Sequence, residues 1–227
     1  MYEYQVLDLQ DASKKSNREG NASGKRDRSE FLSTVSVNIY PDTLAWMHDY
    51  AYSFNEPYTN DYYSHTAYDD YPVVGVSWKQ AIAFTKWRTE QMNKFLRANK
   101  LQASPDFRLP TESEWEYAAK TEKLGGGHWN QPYGIGATVA VGSFKPNSNG
   151  LYDMMGNVYE WTMDWYGPYN IDGVQSNPSG PEKGNEKVVK GGSWDALNHF
   201  LRTSDRVAKD PALRYSGVGF RCVRPNV

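Results

Sequence analysis

The sequence predicts an α+β fold with two helices and many loops. Two segments carry strong helix-start signals, and the chain after the second contains only short apolar stretches separated by Gly, Pro and Asn turns. The composition suits irregular backbone, with 8 Trp and 17 Tyr beside 19 Gly and 12 Pro. Aromatic rings bury much area per residue, and their polar groups can bind loop backbone. Two helices followed by a long irregular region with short strands make an α+β domain.

The first helix is predicted to begin after Ser77. Its hydroxyl can accept a hydrogen bond from the first turn while Gln80 reaches back, which is the reciprocal capping box. The pattern ends near residues 98–100. Four apolar side chains support a helical face directed toward the core: Ala81, Phe84, Met92 and Phe95.

The second helix is predicted to begin after Thr111. Thr111 is placed as the N-cap, Glu114 stands three residues later, and Trp115 can pack back on the preceding segment. This helix is expected to run to about Lys120.

The N-terminal part of the chain differs in composition from the rest. Residues 11–30 have almost no apolar side chain, so burial cannot offset the entropy cost of ordering them. We predict an arm at residues 1–33 that is mobile or ordered by a partner, and one domain at residues 34–227. A strand-like segment at residues 34–40 leads into a Tyr-rich stretch that is expected to be mostly loop.

Charge and cysteine content exclude several function classes. The formal net charge of −2 gives no basic field for nucleic acid. The single cysteine, Cys222, excludes an internal disulfide framework and a thiolate-rich zinc site. No apolar run reaches the ~20 residues of a transmembrane helix, and residues 1–4 do not read as a signal peptide.

Three sequence blocks carry a family resemblance. In chain order they are residues 74–78 (VGVSW) with 108–119 (RLPTESEWEYAA), residues 150–161 (GLYDMMGNVYEW), and residues 189–194 (VKGGSW) with 219–222 (GFRC). Together they resemble the formylglycine-generating-enzyme, or sulfatase-modifying-factor, family from about residue 71 onward. The resemblance implies a loop-rich variant of the C-type-lectin-like fold, with two packed helices and small twisted antiparallel sheets.

The same resemblance indicates that the family's oxidase chemistry is absent. Catalytic members carry two cysteines after the GGSW motif, which bind copper and oxidise a substrate cysteine to formylglycine. Here the corresponding positions are Ala196 and Leu201. Hydrocarbon side chains cannot ligate copper or exchange a disulfide, because both tasks require a thiolate. Cys222 aligns with a structural position, so we expect no copper and no enzyme.

The resemblance also implies a calcium site. In the family, the GNxxEW motif wraps a calcium ion; carried over, Asn157 and Glu160 supply side-chain oxygens, and Gly156 and Val158 supply carbonyls. The alternative is that Asn157 and Glu160 hydrogen-bond neighbouring loop backbone without an ion. A second family calcium site is predicted to be missing, because residues 124–133 lack spaced Asn and Asp donors. An iron site is not indicated, because the four histidines lack close spacing: His48, His65, His128 and His199.

Two upstream segments favour a narrower group within the family. Residues 38–46 (NIYPDTLAW) and 67–78 (AYDDYPVVGVSW) are similar to the gliding-motility lipoproteins of Bacteroidetes, which are associated with type IX secretion. Members of that group are structural parts of a large assembly, lipid-anchored to the outer membrane and facing the periplasm. We therefore expect a non-catalytic, periplasmic subunit whose partners are other envelope proteins, with a lipid anchor that is not present in this chain.

Two other functions stay open on the sequence. The first is a peptide- or glycan-binding module that stacks its ligand on exposed tyrosines, drawn from Tyr52, Tyr58, Tyr62, Tyr63 and Tyr68. The second is an enzyme with altered chemistry built on Ser193, His199 and Asp195, although closeness in sequence does not make a hydrogen-bonded triad.

Overall fold

A computed structural model describes residues 1–18, 27–49, 56–120, 137–169, 177–196 and 202–225. The chain divides into two compact units, Met1–Ile39 and Tyr40–Val227. The division lies after Ile39, whereas the sequence analysis placed the end of the arm at residue 33. Among the described residues, no helix is long and apolar enough to span a membrane.

The first unit is a pair of strands with short helical turns between them. Strand β1 (Tyr2–Leu7) runs antiparallel to β2 (Leu32–Val37), and α1 (Leu9–Ser13), α2 (Lys15–Arg18) and a 3-10 turn (Arg28–Phe31) lie between them in sequence. The predicted arm therefore contributes a complete strand, which its composition did not indicate. Residues 19–26, within the segment predicted to be mobile, lie outside the described residues, so its mobility stays a prediction.

The second unit is an α+β domain, as predicted. Its helices are α3 (Ala45–Asp49), α4 (Glu56–Asp61), a 3-10 turn (Thr66–Tyr68), α5 (Trp78–Ala98) and α6 (Glu112–Ala119). Its strands are β3 (Tyr159–Trp165), β4 (Lys187–Lys190), β5 (Val207–Lys209) and β6 (Val218–Gly219). The Tyr-rich stretch thus contains short helical segments where mostly loop was expected.

The four-stranded sheet has the order β5-β4-β3-β6. Neighbouring strands in this sheet run antiparallel, except for β3 and β6, which run parallel. The β3–β6 pair is therefore an exception to the small antiparallel sheets that the resemblance implied. Gly219 is needed there, because a Cβ atom on it would lie 2.6 Å from the Val73 carbonyl oxygen. A further bridge joins Arg108 to Val223 through two backbone hydrogen bonds of 3.0 and 2.8 Å.

Helix α5 begins where its cap was predicted, and it buries Ala81 of the predicted apolar face but not its two phenylalanines. Ser77 and Gln80 form the capping box, and the Ser77 N–H donates to Gln80 Oε1 at 2.8 Å. Phe84 and Phe95, expected in the core, are 37% and 62% exposed. The buried side carries smaller side chains, and the hydroxyls of two of them, Thr85 and Thr89, donate to carbonyls of their own helix. Their polar atoms are satisfied locally, so this narrow face can pack closely.

Helix α6 confirms the second predicted cap and adds a partner to it. The Thr111 side chain accepts from Glu114 N, and the Thr111 N–H donates back to Glu114. Arg108 also donates to both Glu114 carboxylate oxygens at 2.6 Å. The hydrogen bonds from Arg108 lower the Glu114 pKa to about 2, so this carboxylate stays ionised and keeps the helix start fixed.

An aromatic cluster fills the core beneath the Tyr-rich segment. It centres on Trp46, which is fully buried, with ring centroids of Tyr58 and Trp194 at 5.0 and 5.5 Å. The Tyr62 hydroxyl donates to the Pro72 carbonyl at 2.5 Å, which ties the loop to the core. The members of the aromatic cluster are Trp46, Tyr58, Tyr62, Tyr63, Tyr68, Tyr71 and Trp194.

A buried lysine in the four-stranded sheet lies between two tryptophan rings. Lys187 in β4 is only 3% exposed, and its Nζ lies 4.2 Å from the Trp78 ring centroid and 3.8 Å from that of Trp165. The ammonium group donates to the Met163 carbonyl oxygen at 2.6 Å. Burial lowers the pKa of Lys187 to about 8, against the opposing effect of Asp164.

We expect Lys187 to contribute stability that grows between about pH 8 and pH 10.5, measured as the difference between the wild type and a variant without this lysine. In this window the folded state has released the proton while the unfolded state still binds it, so raising the pH favours folding. The gain is on the order of 2 kcal/mol. Urea unfolding of the wild type and of Lys187→Met across this range measures it.

The variant should lack this rise, whereas Lys183→Met, at an exposed lysine, should retain it. Equal pH dependence in the wild type and Lys187→Met would contradict the assignment.

Candidate functional site

The GNxxEW segment forms a tight turn that leads into β3. Asp153 and Asn157 have φ angles of 54° and 64°, in the left-handed region that Asp and Asn tolerate better than most residues. Asn157 is 2% exposed. Its Oδ1 accepts from the Val139 N–H, and its Nδ2 donates to the Val139 carbonyl, both at 3.1 Å. The Asn157 amide therefore fastens a distant loop through both of its polar atoms.

Glu160 is held by two donors from other parts of the chain. Its Oε2 accepts from Trp115 Nε1 at 2.7 Å and from Arg221 Nε at 2.5 Å, and its Oε1 accepts from Arg221 Nη2 at 2.5 Å. Burial lowers the pKa of Arg221, but the charge and hydrogen bonds of Glu160 outweigh this effect and leave the pKa raised. Through these hydrogen bonds Glu160, which lies in β3, is joined to Trp115 of α6 and to Arg221 of the GFRC block.

This arrangement does not fit a calcium ion. Calcium needs several free oxygen ligands, but Asn157 Oδ1 and both Glu160 oxygens already accept from N–H groups, and Arg221 neutralises the carboxylate. Gly156 has a φ of 81° and donates to the Gly191 carbonyl at 2.7 Å, while Val158 packs in the core. Within the described ranges, no three His, Cys, Asp or Glu side chains cluster as metal ligands.

The sequence alternative was that Asn157 and Glu160 hydrogen-bond neighbouring loop backbone. Asn157 does so at Val139, whereas Glu160 accepts from the side chains of Trp115 and Arg221. The position predicted to lack a second calcium site, residues 124–133, lies outside the described residues.

The GGSW block forms the corner where catalytic relatives carry their cysteines. Gly191 and Gly192 have φ angles of 96° and 78°, which other residues rarely adopt. The Ser193 hydroxyl is buried and donates to Asp195 Oδ1. Ala196 is 8% exposed, and its N–H donates to the Ser193 carbonyl at 3.0 Å. A methyl group therefore occupies this buried position, and Leu201 lies outside the described residues.

A small cleft lies beside Asp195. It has a volume of about 280 Å³ and is lined in part by Asp49, Tyr159, Ser193 and Lys209. Asp49 accepts from both the N–H and the hydroxyl of Ser216 at 2.7 Å, so its carboxylate anchors that loop. His199, the third member of the suggested catalytic trio, lies outside the described residues.

The remaining candidate residues have local roles. His65 Nδ1 accepts from Ala67 N at 3.1 Å and caps a turn, while His48 Nδ1 lies 4.0 Å from Asp42 Oδ2. Cys222 is a free thiol whose pKa is raised by burial, which disfavours the thiolate. Sequence reasoning missed Val139 and the pairing of Arg221 with Glu160. The only sequence signal for the latter was the position of Arg221 inside the GFRC block.

The chain has a small mixed sheet, two capped helices and the GNxxEW and GGSW turns. These features define it as a loop-rich α+β domain of the C-type-lectin-like type. A family model described as "Sulfatase-modifying factor enzyme 1-like domain" matches residues 24–226. The chain belongs to this family, as its sequence blocks predicted.

The relatives include formylglycine-generating enzymes, a protein named as a kinase and a protein named as an inactive generating enzyme. The chain is 36% identical over 173 residues to "Serine/threonine-protein kinase pkn1" of Chlamydia pneumoniae, covering 69% of this chain and 24% of the relative. It is 32% identical over 185 residues to the formylglycine-generating enzyme of Streptomyces coelicolor, covering 69% and 54%. It is also 32% identical over 178 residues to the "Inactive C-alpha-formylglycine-generating enzyme 2" of Mus musculus, covering 66% and 48%. The chain thus spans about a quarter to about half of these relatives.

Solved structures support the same fold. "Treponema denticola variable protein 1" matches with a TM-score of 0.57 and 28% identity, covering 71% of this chain and 74% of that one. PvdO from Pseudomonas aeruginosa matches with a TM-score of 0.54 and 27% identity, covering 68% and 62%.

Proposed function

We propose that this chain is a non-catalytic member of the family and acts as an assembly subunit of a bacterial envelope machine for gliding motility and type IX secretion. The non-catalytic assignment rests on Ala196, whose methyl group is buried in the corner where catalytic relatives hold a cysteine. Leu201 stands at the second cysteine position. Without two thiolates the site lacks the sulfur ligands that hold copper in the family and the thiols that would exchange a disulfide.

The chain offers no substitute for the lost thiols among its described residues. Cys222 belongs to the GFRC block, and burial raises its pKa, which disfavours the thiolate. Ser193 donates its hydroxyl proton to Asp195. A hydroxyl held by a carboxylate without a histidine placed between them is not an activated nucleophile of the triad type.

The names of the relatives are consistent with a domain that has functions other than oxidation. One relative is named an inactive generating enzyme, and the chlamydial proteins are named protein kinases, in which the matching region covers 24% of the length. The family domain therefore occurs in proteins that are not named as oxidases.

Support for the gliding-motility branch comes from the segments at residues 38–46 and 67–78. Trp46 and Tyr68 belong to the aromatic cluster, and the Asp42 N–H donates to the Gly75 carbonyl at 2.7 Å, which joins the two segments directly. The similarity thus lies in residues that build the domain. On this proposal the partners are other envelope proteins, and the location is periplasmic, at the outer membrane.

Two measurements test the two parts separately. Purified chain with copper should not oxidise a cysteine-containing sulfatase-type peptide, whereas the Streptomyces coelicolor relative should do so as a positive control. Copper-dependent oxidation by this chain would overturn the non-catalytic assignment. Tagged chain at native expression should co-purify with subunits of the gliding and secretion apparatus; a monomer without envelope partners would overturn the assembly role.

The tyrosine platform for a peptide or glycan is less well supported. Tyr58, Tyr62, Tyr63 and Tyr68 pack in the aromatic cluster, and three of them hydrogen-bond loop carbonyls through their hydroxyls. Tyr52 lies outside the described residues. These rings hold the loop in place, so a ligand surface has to be sought elsewhere.

A further inference from the structure

A cavity lies beside the Glu160–Arg221 pair. Its volume is about 670 Å³, within the range of ligand-binding pockets. Tyr71, Tyr152 and Phe220 supply aromatic rings to its wall. Its lining is mostly apolar, so the few charged groups in it decide which ligand it can hold.

The charges that line the cavity do not balance. They are Asp153, Glu160 and Arg221. Arg221 donates two hydrogen bonds of 2.5 Å to Glu160 and is also attracted by the charge of Asp153, so one cation stands against two carboxylates. Asp153 Oδ2 accepts from Gly142 N at 2.7 Å, while its Oδ1 is buried and has no hydrogen-bond partner in the described parts of the chain. The cavity therefore carries one excess negative charge in a poorly solvated place.

The mouth of the cavity is apolar and exposed. We call Val73, Val141 and Tyr152 the apolar rim; they line the cavity and are 43%, 55% and 46% exposed. Phe220 extends this surface toward α5, because its ring centroid lies 5.3 Å from that of Phe84. Exposed apolar side chains gathered at the mouth of a cavity are typical of a protein-binding site.

We propose that the cavity receives a lysine or arginine side chain of a partner protein, whose apolar residues cover the rim. The excess negative charge favours a cation, and aromatic walls stabilise cations through their ring faces. An apolar border shields such a contact from water, as in the centre of many protein interfaces. The inference rests on the proposed role as an assembly subunit and names the surface that this role uses.

The test uses Nα-acetyl-lysine N-methylamide as the probe and the full chain with isotope-labelled glycines. Gly142, Gly150 and Gly156 line the cavity, so their amide signals report binding there. We expect saturable shifts at these signals. The norleucine analogue, which has no ammonium group, should bind about tenfold more weakly, because only the charge is lost.

The variant Asp153→Asn removes the charge with little change in shape. Asn tolerates the left-handed backbone, and its Oδ1 can still accept from Gly142 N. We expect about tenfold weaker lysine binding in this variant, and no change in Asp210→Asn, which alters an exposed turn outside the cavity.

Several outcomes would overturn the proposal. They are equal binding of lysine and norleucine probes, absence of saturable shifts, unchanged lysine affinity in Asp153→Asn, and displacement of the probe by millimolar calcium. None of them would affect the co-purification with envelope subunits or the copper-oxidation result, so failure of this inference is distinguishable from failure of the proposed function.

Discussion

Replacing Lys190 by methionine is expected to lower the free energy of unfolding by about 3–5 kcal/mol, the usual cost of breaking a buried ion pair. Lys190 and Glu112 are both fully buried. Lys190 Nζ lies 2.7 Å from Glu116 and 3.5 Å from Glu112, and Arg206 Nε donates to Glu112 at 2.7 Å. Removing the Lys190 ammonium leaves the fully buried Glu112 carboxylate with Arg206 as its counter-charge, while the Glu116 side chain, 39% exposed, has to be hydrated instead.

Urea unfolding of the wild type and Lys190→Met measures this loss. Lys183→Met is the matched control, because that lysine is exposed and should tolerate the same change within about 0.5 kcal/mol. If both variants lose the same stability, the buried charge cluster does not hold the domain together as described.

The second large effect is expected for Trp46→Ala, which should cost about 3–5 kcal/mol. Trp46 is fully buried and contacts the rings of Tyr58, Tyr62 and Trp194. Truncation leaves a cavity that the surrounding tyrosines cannot fill, because the Tyr62 hydroxyl is fixed to the Pro72 carbonyl. Thermal or denaturant unfolding followed by circular dichroism measures the change.

Trp87→Ala provides the comparison, since that tryptophan is 44% exposed on α5. Its truncation should cost much less than that of Trp46. A loss as large as that of Trp46→Ala would contradict a core that is centred on Trp46.

The helix starts could be predicted because their determinants are local. Ser77 with Gln80 and Thr111 with Glu114 stand three residues apart, and each pair closes its own capping box whatever the rest of the chain does. The buried face of α5 was less predictable. Apolar spacing pointed to both Ala81 and Phe84, but the neighbouring elements pack against small residues such as Ala81 and Ala83 and leave the phenylalanine partly exposed.

Pairings between distant residues could not be predicted. Strand β1 depends on β2, and the Tyr2–Val37 register joins segments separated by a polar stretch that suggested disorder. The candidate site shows the same limit. The residue types at Asn157 and Glu160 are compatible with calcium, and only the positions of Val139 and Arg221 show that their oxygens are already engaged.

The position of β6 at the edge of the sheet has a consequence for biosynthesis. During translation β3 and β4 leave the ribosome before Val218, so the edge of β3 that faces β6 stays unpaired until late. Unpaired strand edges are sites of aggregation in nascent chains. A stalled or truncated product ending before Val218 would therefore depend on a chaperone to remain in solution.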